Sequence, residues 1–100
     1  MTSRAVVVSN ELGLHARAAA RFVHLATQFT SQIRIGRDRR MMDGKSIMGI
    51  LLLAAARGTP LTITAHGPDE AAALEALAAL VESGFGETST ALGPGEPWNA

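Results

Sequence analysis

Cysteine is absent from this 100-residue chain, so disulfides and thiolate metal sites are excluded. Aromatic residues make up only 4%, which leaves aliphatic side chains and alanine to build the core. Neither sign of charge dominates: nine Lys and Arg meet nine Asp and Glu, for a formal net charge of zero. That argues against an electrostatic nucleic-acid binder and against a polybasic membrane module. No apolar run is long enough to span a bilayer, and the N-terminus shows no signal-peptide pattern. The expected location is therefore cytoplasmic, which the missing cysteines permit. What the chain does have is 47% hydrophobic residues in the length of one small domain.

Read in order, Arg4-Ala5-Val6-Val7-Val8-Ser9 is a short valine-rich strand. Residues 16–29 read as a helix, because Ala19, Phe22, Val23, Ala26 and Phe29 recur at three- and four-residue steps. Ile33-Arg34-Ile35 alternates as a strand, residues 36–40 make a polar turn, and Met41-Met42 fits the return strand of a hairpin. Residues 47–56 form a second helix with apolar residues nearly all round, Ser46 as its N-cap and Gly58 as its C-cap. So short a helix cannot bury every face of a small protein. Some of Ile47, Met48, Leu51 and Leu52 are therefore expected at the surface as a docking patch. Residues 61–66 alternate as a strand with one wet face. Asp69 is expected to cap a helix over 70–83, which Gly84 and Gly86 end. The order predicts an α+β domain over residues 1–86, with helices covering one face of a small antiparallel sheet. Residues 87–100 lack periodicity and are expected to be a flexible tail.

Two stretches carry chemistry. In Gly13-Leu14-His15-Ala16-Arg17 a histidine stands immediately before a helix, and an arginine lies in its first turn. A helix start presents unpaired N–H groups and the positive end of the peptide dipole, a ready anion site. The guanidinium of Arg17 adds a fork of donors that matches phosphate oxygens. A neutral imidazole there is a nucleophile beside an anion site, so the pattern suggests a phosphoryl group carried on a histidine nitrogen. The second stretch, Asp43-Gly44-Lys45-Ser46, feeds the second helix and places a hydroxyl at its start.

Together these stretches resemble the HPr family, the histidine-containing phosphocarriers of the bacterial sugar phosphotransferase system. The match runs over about residues 3–85: Gly13-Leu14-His15-Ala16-Arg17 before an alanine-rich helix, then Asp43-Gly44-Lys45-Ser46-Ile47-Met48-Gly49-Ile50. The resemblance implies an open-faced sandwich, βαββαβα, with four antiparallel strands under three helices. It implies that His15 accepts a phosphoryl group at Nδ1 from enzyme I, which obtained it from phosphoenolpyruvate, and passes it to an enzyme IIA domain. In that scheme Arg17 and the helix start at Ala16 and Ala18 contact the phosphoryl group. Ala20, Ile47, Met48 and Leu51 meet partners, and Ser46 matches a position phosphorylated by a dedicated serine kinase in many relatives. The implied carrier is a monomer with no cofactor and no metal, and it is not an enzyme, since it is consumed and regenerated in each cycle.

The chain departs from the pattern in places. Ala18 stands where the family usually has proline, and His24 and Thr27 stand where many relatives carry lysines. Three readings compete with the sugar-system carrier: a carrier in a nitrogen-related phosphorelay, a regulatory binding module acting through Ser46 and the apolar patch, and a small acyl-phosphate phosphatase using Arg17. For the last, the glycine-rich phosphate cradle ahead of the arginine is missing. Elsewhere the residues have simpler roles. His24 and His66 are expected at the surface, Met41 and Met42 in packing, and Arg37, Arg39 and Arg40 on a solvated turn.

Overall fold

The computed structural model describes residues 1–87, and the tail from residue 88 lies outside the described residues. The elements are β1 (Thr2–Val7), α1 (Ala16–Ala26), β2 (Gln32–Arg37), β3 (Arg40–Asp43), α2 (Ile47–Leu52), β4 (Pro60–His66) and α3 (Glu70–Glu82). The strands form one antiparallel sheet in the order β1-β4-β2-β3, so the last strand lies between the first and second. Val6 pairs with Leu61, and Ile35 faces Ile63 on one side and Met42 on the other. Alternation then sorts the faces. Val6, Ile33, Ile35, Leu61, Ile63 and Ala65 are buried under the helices, while Gln32, Arg34 and Thr62 are exposed. This is the expected open-faced α+β sandwich.

Both early helices stop sooner than their apolar periodicity. α1 ends at Ala26, not at residue 29: the Gln28 and Phe29 N–H groups step back only three residues, to the Leu25 and Ala26 carbonyls, and after that turn the chain bonds to other segments. Lys45 Nζ donates to the Phe29 carbonyl at 2.7 Å, and the Thr30 and Ser31 N–H groups donate to the Asp69 carboxylate. α2 ends at Leu52, and Ala54 adopts φ +50, which breaks the expected run to residue 56. Gly58 does not cap it. Its N–H donates to the Val8 carbonyl at 2.8 Å and ties the loop to the end of β1. Ending the helix early turns Ala55 inward, and that loop supports the chain ahead of His15.

Asp69 occupies the N-cap position of α3 but makes no side-chain capping bond. The Ser31 hydroxyl, followed by the Thr30 N–H, holds its carboxyl at about 2, well below the usual carboxylate range. Glu70 is likewise held at about 2, by the Thr2 hydroxyl and then the Gly67 N–H. These two acids fasten α3 to the α1–β2 connection and to β1. Along α3 itself Leu74, Leu77, Ala78 and Val81 are buried and Glu75 and Glu82 exposed, as the periodicity predicts.

After α3 the chain makes a feature its sequence hides. Gly84, Phe85 and Gly86 all have positive φ, at 74°, 59° and 73°. The bend drives Phe85 fully into the core, and its N–H donates to the Leu80 carbonyl at 2.9 Å.

Candidate functional site

His15 is the N-cap of α1, in extended backbone geometry. Gly13 makes that placement possible. Its φ is +66°, and a Cβ there would lie 2.4 Å from the Ala55 carbonyl oxygen. Leu14 is buried, and its N–H donates to the same carbonyl at 2.9 Å. The loop before α1 is thus pinned on the loop after α2.

The imidazole is held at both nitrogens. Nδ1 accepts from the Arg17 N–H at 3.3 Å, a long contact within the first helical turn. Nε2 contacts the Glu87 Oε2 in a short hydrogen bond. A nitrogen that accepts an N–H carries no proton, so in the neutral ring the proton sits on Nε2 and Nδ1 holds the lone pair. The first intrahelical bond runs from the Ala19 N–H to the His15 carbonyl at 2.9 Å. The N–H groups of Ala16, Arg17 and Ala18 therefore precede the helical ladder, and that of Arg17 meets Nδ1. Ala18 is fully buried, while Ala16, Arg17 and Ala20 are exposed. Arg17, Ala20 and His24 also border a shallow apolar groove shared with Leu25, Leu80 and Phe85.

Glu87 is the first residue of the expected tail, and sequence reasoning misses its place at the site. The glycine-rich bend at 84–86 gives no periodic signal, and only the burial of Phe85 carries residue 87 back to the histidine. Its other oxygen, Oε1, accepts from Asn10 Nδ2 at 3.0 Å, and Asn10 Nδ2 also donates to the Gly13 carbonyl at 2.8 Å. Asn10 Oδ1 is buried and has no hydrogen-bond partner among the described residues.

Ser46 caps α2, its hydroxyl accepting from the Gly49 N–H at 3.1 Å. Beyond it Met48 is 68% exposed, Leu52 52% and Ile47 42%, so the expected apolar patch is present. Leu51 is half-buried against the core. α1 and α2 lie on the same face of the sheet and contact one another. His24 and His66 are exposed, and the described residues contain no cluster of three or more His, Cys, Asp or Glu that could hold a metal ion. No described helix is long and apolar enough to cross a membrane.

Comparison with known proteins agrees with this geometry. The family profile described as "PTS HPr component phosphorylation site" matches residues 2–83. The phosphocarrier protein HPr of Cupriavidus necator is 47% identical over 87 residues, covering 87% of this chain and 98% of its own. That of Neisseria meningitidis serogroup A is 42% identical over the same shares. Among solved structures, HPr-C-His from Thermoanaerobacter tengcongensis superposes with a TM-score of 0.84 at 43% identity, over 88% of this chain and 99% of its own. HPr from Bacillus anthracis gives 0.77 at 48% identity, over 80% and 95%. With the family profile spanning most of the chain and relatives matched over nearly their whole length, this chain belongs to the HPr phosphocarrier family of the phosphotransferase system.

Proposed function

We propose that the chain carries a phosphoryl group on Nδ1 of His15, receiving it from phosphorylated enzyme I and yielding it to an enzyme IIA domain. One observation supports this above the others: Nδ1 faces the start of α1 and is met there by the long 3.3 Å contact from the Arg17 N–H. When phosphorus bonds to Nδ1, that N–H turns to a phosphoryl oxygen. The neighbouring N–H groups of Ala16 and Ala18 and the Arg17 guanidinium add moderate contacts. Transfer depends on in-line approach of two sites, so positioning supplies most of the rate. Ala18 in place of proline leaves one more N–H at the helix start. The chain is a carrier, consumed and regenerated each cycle, and it needs no cofactor.

The partner surface in this reading is Ala20 with Ile47, Met48 and Leu51, an apolar face beside the reactive ring. The carrier works as a cytoplasmic monomer, which leaves that face open to each partner in turn. An HPr from Thermoanaerobacter tengcongensis has been solved as a dimer, and sedimentation of this chain at a single-chain mass is the result expected here. Ser46 is a second, regulatory site for a serine kinase. A phosphate there would sit at the start of α2 beside the apolar patch and repel an acidic partner.

The test is incubation with phosphoenolpyruvate and enzyme I, followed by mass spectrometry. The expected product is one acid-labile, base-stable phosphoryl group, lost in His15→Ala. No mass gain would overturn the carrier reading in favour of a binding module. Unaided turnover of acyl phosphate would instead favour a phosphatase. Onward transfer to a sugar-specific IIA domain, against transfer to a nitrogen-related one, separates the two carrier branches.

A further inference from the structure

We propose that Asn10 and Glu87 form a buttress that holds His15 with its proton on Nε2 and so keeps the Nδ1 lone pair available. The inference rests on the carrier reading above and adds two positioning residues to it.

The Glu87 carboxylate divides its two oxygens between two donors. Oε1 accepts from Asn10 Nδ2 at 3.0 Å, and Oε2 meets His15 Nε2. Asn10 Nδ2 also donates to the Gly13 carbonyl at 2.8 Å, so the asparagine grips the loop that carries the histidine. The orientation of that amide is determined. Turned over, it would set Oδ1 against the Gly13 carbonyl and the Glu87 carboxylate, acceptor against acceptor. As it stands, Oδ1 is buried with no partner among the described residues, which is the cost of keeping Nδ2 on both acceptors. The Glu87 side chain is only 10% exposed and the Asn10 residue 5%, so these are not solvated surface groups that happen to touch.

The arm that delivers Glu87 is stiff. Phe85 is fully buried, and Arg21 Nη1 donates to its carbonyl. Both ends of the ring then give the same answer. Nε2 faces a carboxylate and must be the donor, and Nδ1 faces the Arg17 N–H and must be the acceptor.

In the reaction the Nδ1 lone pair forms a bond to phosphorus. The bond from phosphorus to the donor's leaving atom breaks, and its electron pair goes to the donor. The Nε2 proton stays on His15. The ring gains positive charge as the new bond forms, and the Glu87 carboxylate already lies against it, so the stabilisation grows toward the transition state. Without the buttress part of the population would carry the proton on Nδ1, where no lone pair is available to attack.

Long-range proton–nitrogen correlation spectra of the unphosphorylated full chain report which ring nitrogen holds the proton. Single-turnover transfer from phosphorylated enzyme I reports the rate and the KM for the donor. Wild type is expected to be almost wholly Nε2–H. Glu87→Ala should populate both tautomers and slow phosphoryl acceptance about tenfold with KM little changed, by analogy with the low end of what a metal-ligating histidine loses with its outer partner. Asn10→Ala should shift both readouts the same way by a smaller amount. Glu87→Gln offers one acceptor oxygen to two donors and no charge, so it should fall between wild type and Glu87→Ala in both readouts. Urea midpoints establish that each variant is folded under the assay conditions. The proposal is overturned if Glu87→Ala keeps the wild-type tautomer, or if the tautomer shifts while the rate does not. Failure of wild type to accept any phosphoryl group would overturn the carrier reading instead, and the tautomer measurement would still decide the buttress.

Discussion

Replacing Gly13 with alanine separates two costs that the structure assigns to that position. The first is conformational: φ +66° is the left-handed region, which costs an alanine about 1–2 kcal/mol. The second is steric, because the new Cβ would sit 2.4 Å from the Ala55 carbonyl oxygen and 3.0 Å from Ala56 Cα, both backbone atoms. Relief requires the two loops to part, which breaks the 2.9 Å bond from the Leu14 N–H to that carbonyl and costs about 0.5–1.5 kcal/mol more. Gly58 provides the control. Its φ is +88°, and a Cβ there would have no atom of a non-neighbouring described residue within 4 Å, so Gly58→Ala carries the conformational cost alone. Gly13→Ala should therefore destabilise by about 1.5–3.5 kcal/mol and Gly58→Ala by about 1–2 kcal/mol. In urea, with a slope of about 1–3 kcal/mol/M, the gap appears as a midpoint lower by a few tenths of a molar or more. Gly13→Ala should also slow phosphoryl acceptance, since Gly13 adjoins the histidine loop and its carbonyl anchors Asn10. Equal midpoints for the two variants would refute the claim that contact with Ala55 sets the position of the histidine loop.

The remaining predictions concern other parts of the fold. Phe85→Ala should cost about 3–5 kcal/mol by calorimetry or urea titration, because it empties a fully buried aromatic site, and it should slow transfer by loosening the arm to Glu87. Asp69 and Glu70 are both depressed, so their contribution to stability is present above their ordinary values of 3.8 and 4.5 and is lost as pH falls toward about 2. Urea midpoints should fall through that window, and Asp69→Asn should have a lower midpoint at neutral pH and a flatter acid limb. Ser46→Asp keeps a good N-cap and should change stability by less than about 0.5 kcal/mol. It should nonetheless reduce the rate of phosphorylation by enzyme I, and an unchanged rate would dispose of the repulsion account.

Much of the fold and of the site is legible in the residues alone. The α3 stripe, the β2–β3 hairpin and the caps at His15 and Ser46 are local features, where residue type and spacing decide the outcome. What escapes is set by contacts between distant segments. The apolar run after Ser46 predicts ten residues of helix, yet Ala54 turns left-handed because the loop that follows must meet both β1 and the histidine loop. Asp69 has the residue type and place of a capping group, but the Ser31 hydroxyl and the Thr30 N–H claim its oxygens. Glu87 follows a glycine-rich bend that reads as the start of a tail. Only Phe85, an isolated apolar residue between two glycines, signals that the chain turns back, and an isolated residue has no period to detect.

On the proposed reading, the two sides of the His15 ring are treated in opposite ways, and the difference suits a carrier. A phosphoryl group bound by many strong contacts would be stabilised on this chain and slow to leave, since binding that favours the loaded state as much as the transition state adds nothing to the rate. The Nδ1 side accordingly meets an N–H at the long distance of 3.3 Å and lies beside an exposed arginine. The Nε2 side is closed by a carboxylate that is itself held by Asn10. Rigidity on that side places the nucleophile without touching the group it carries. Orientation and retention are thereby separated onto different atoms of one ring, and variants at Glu87 should alter the rates of loading and unloading together while variants at Arg17 alter their ratio.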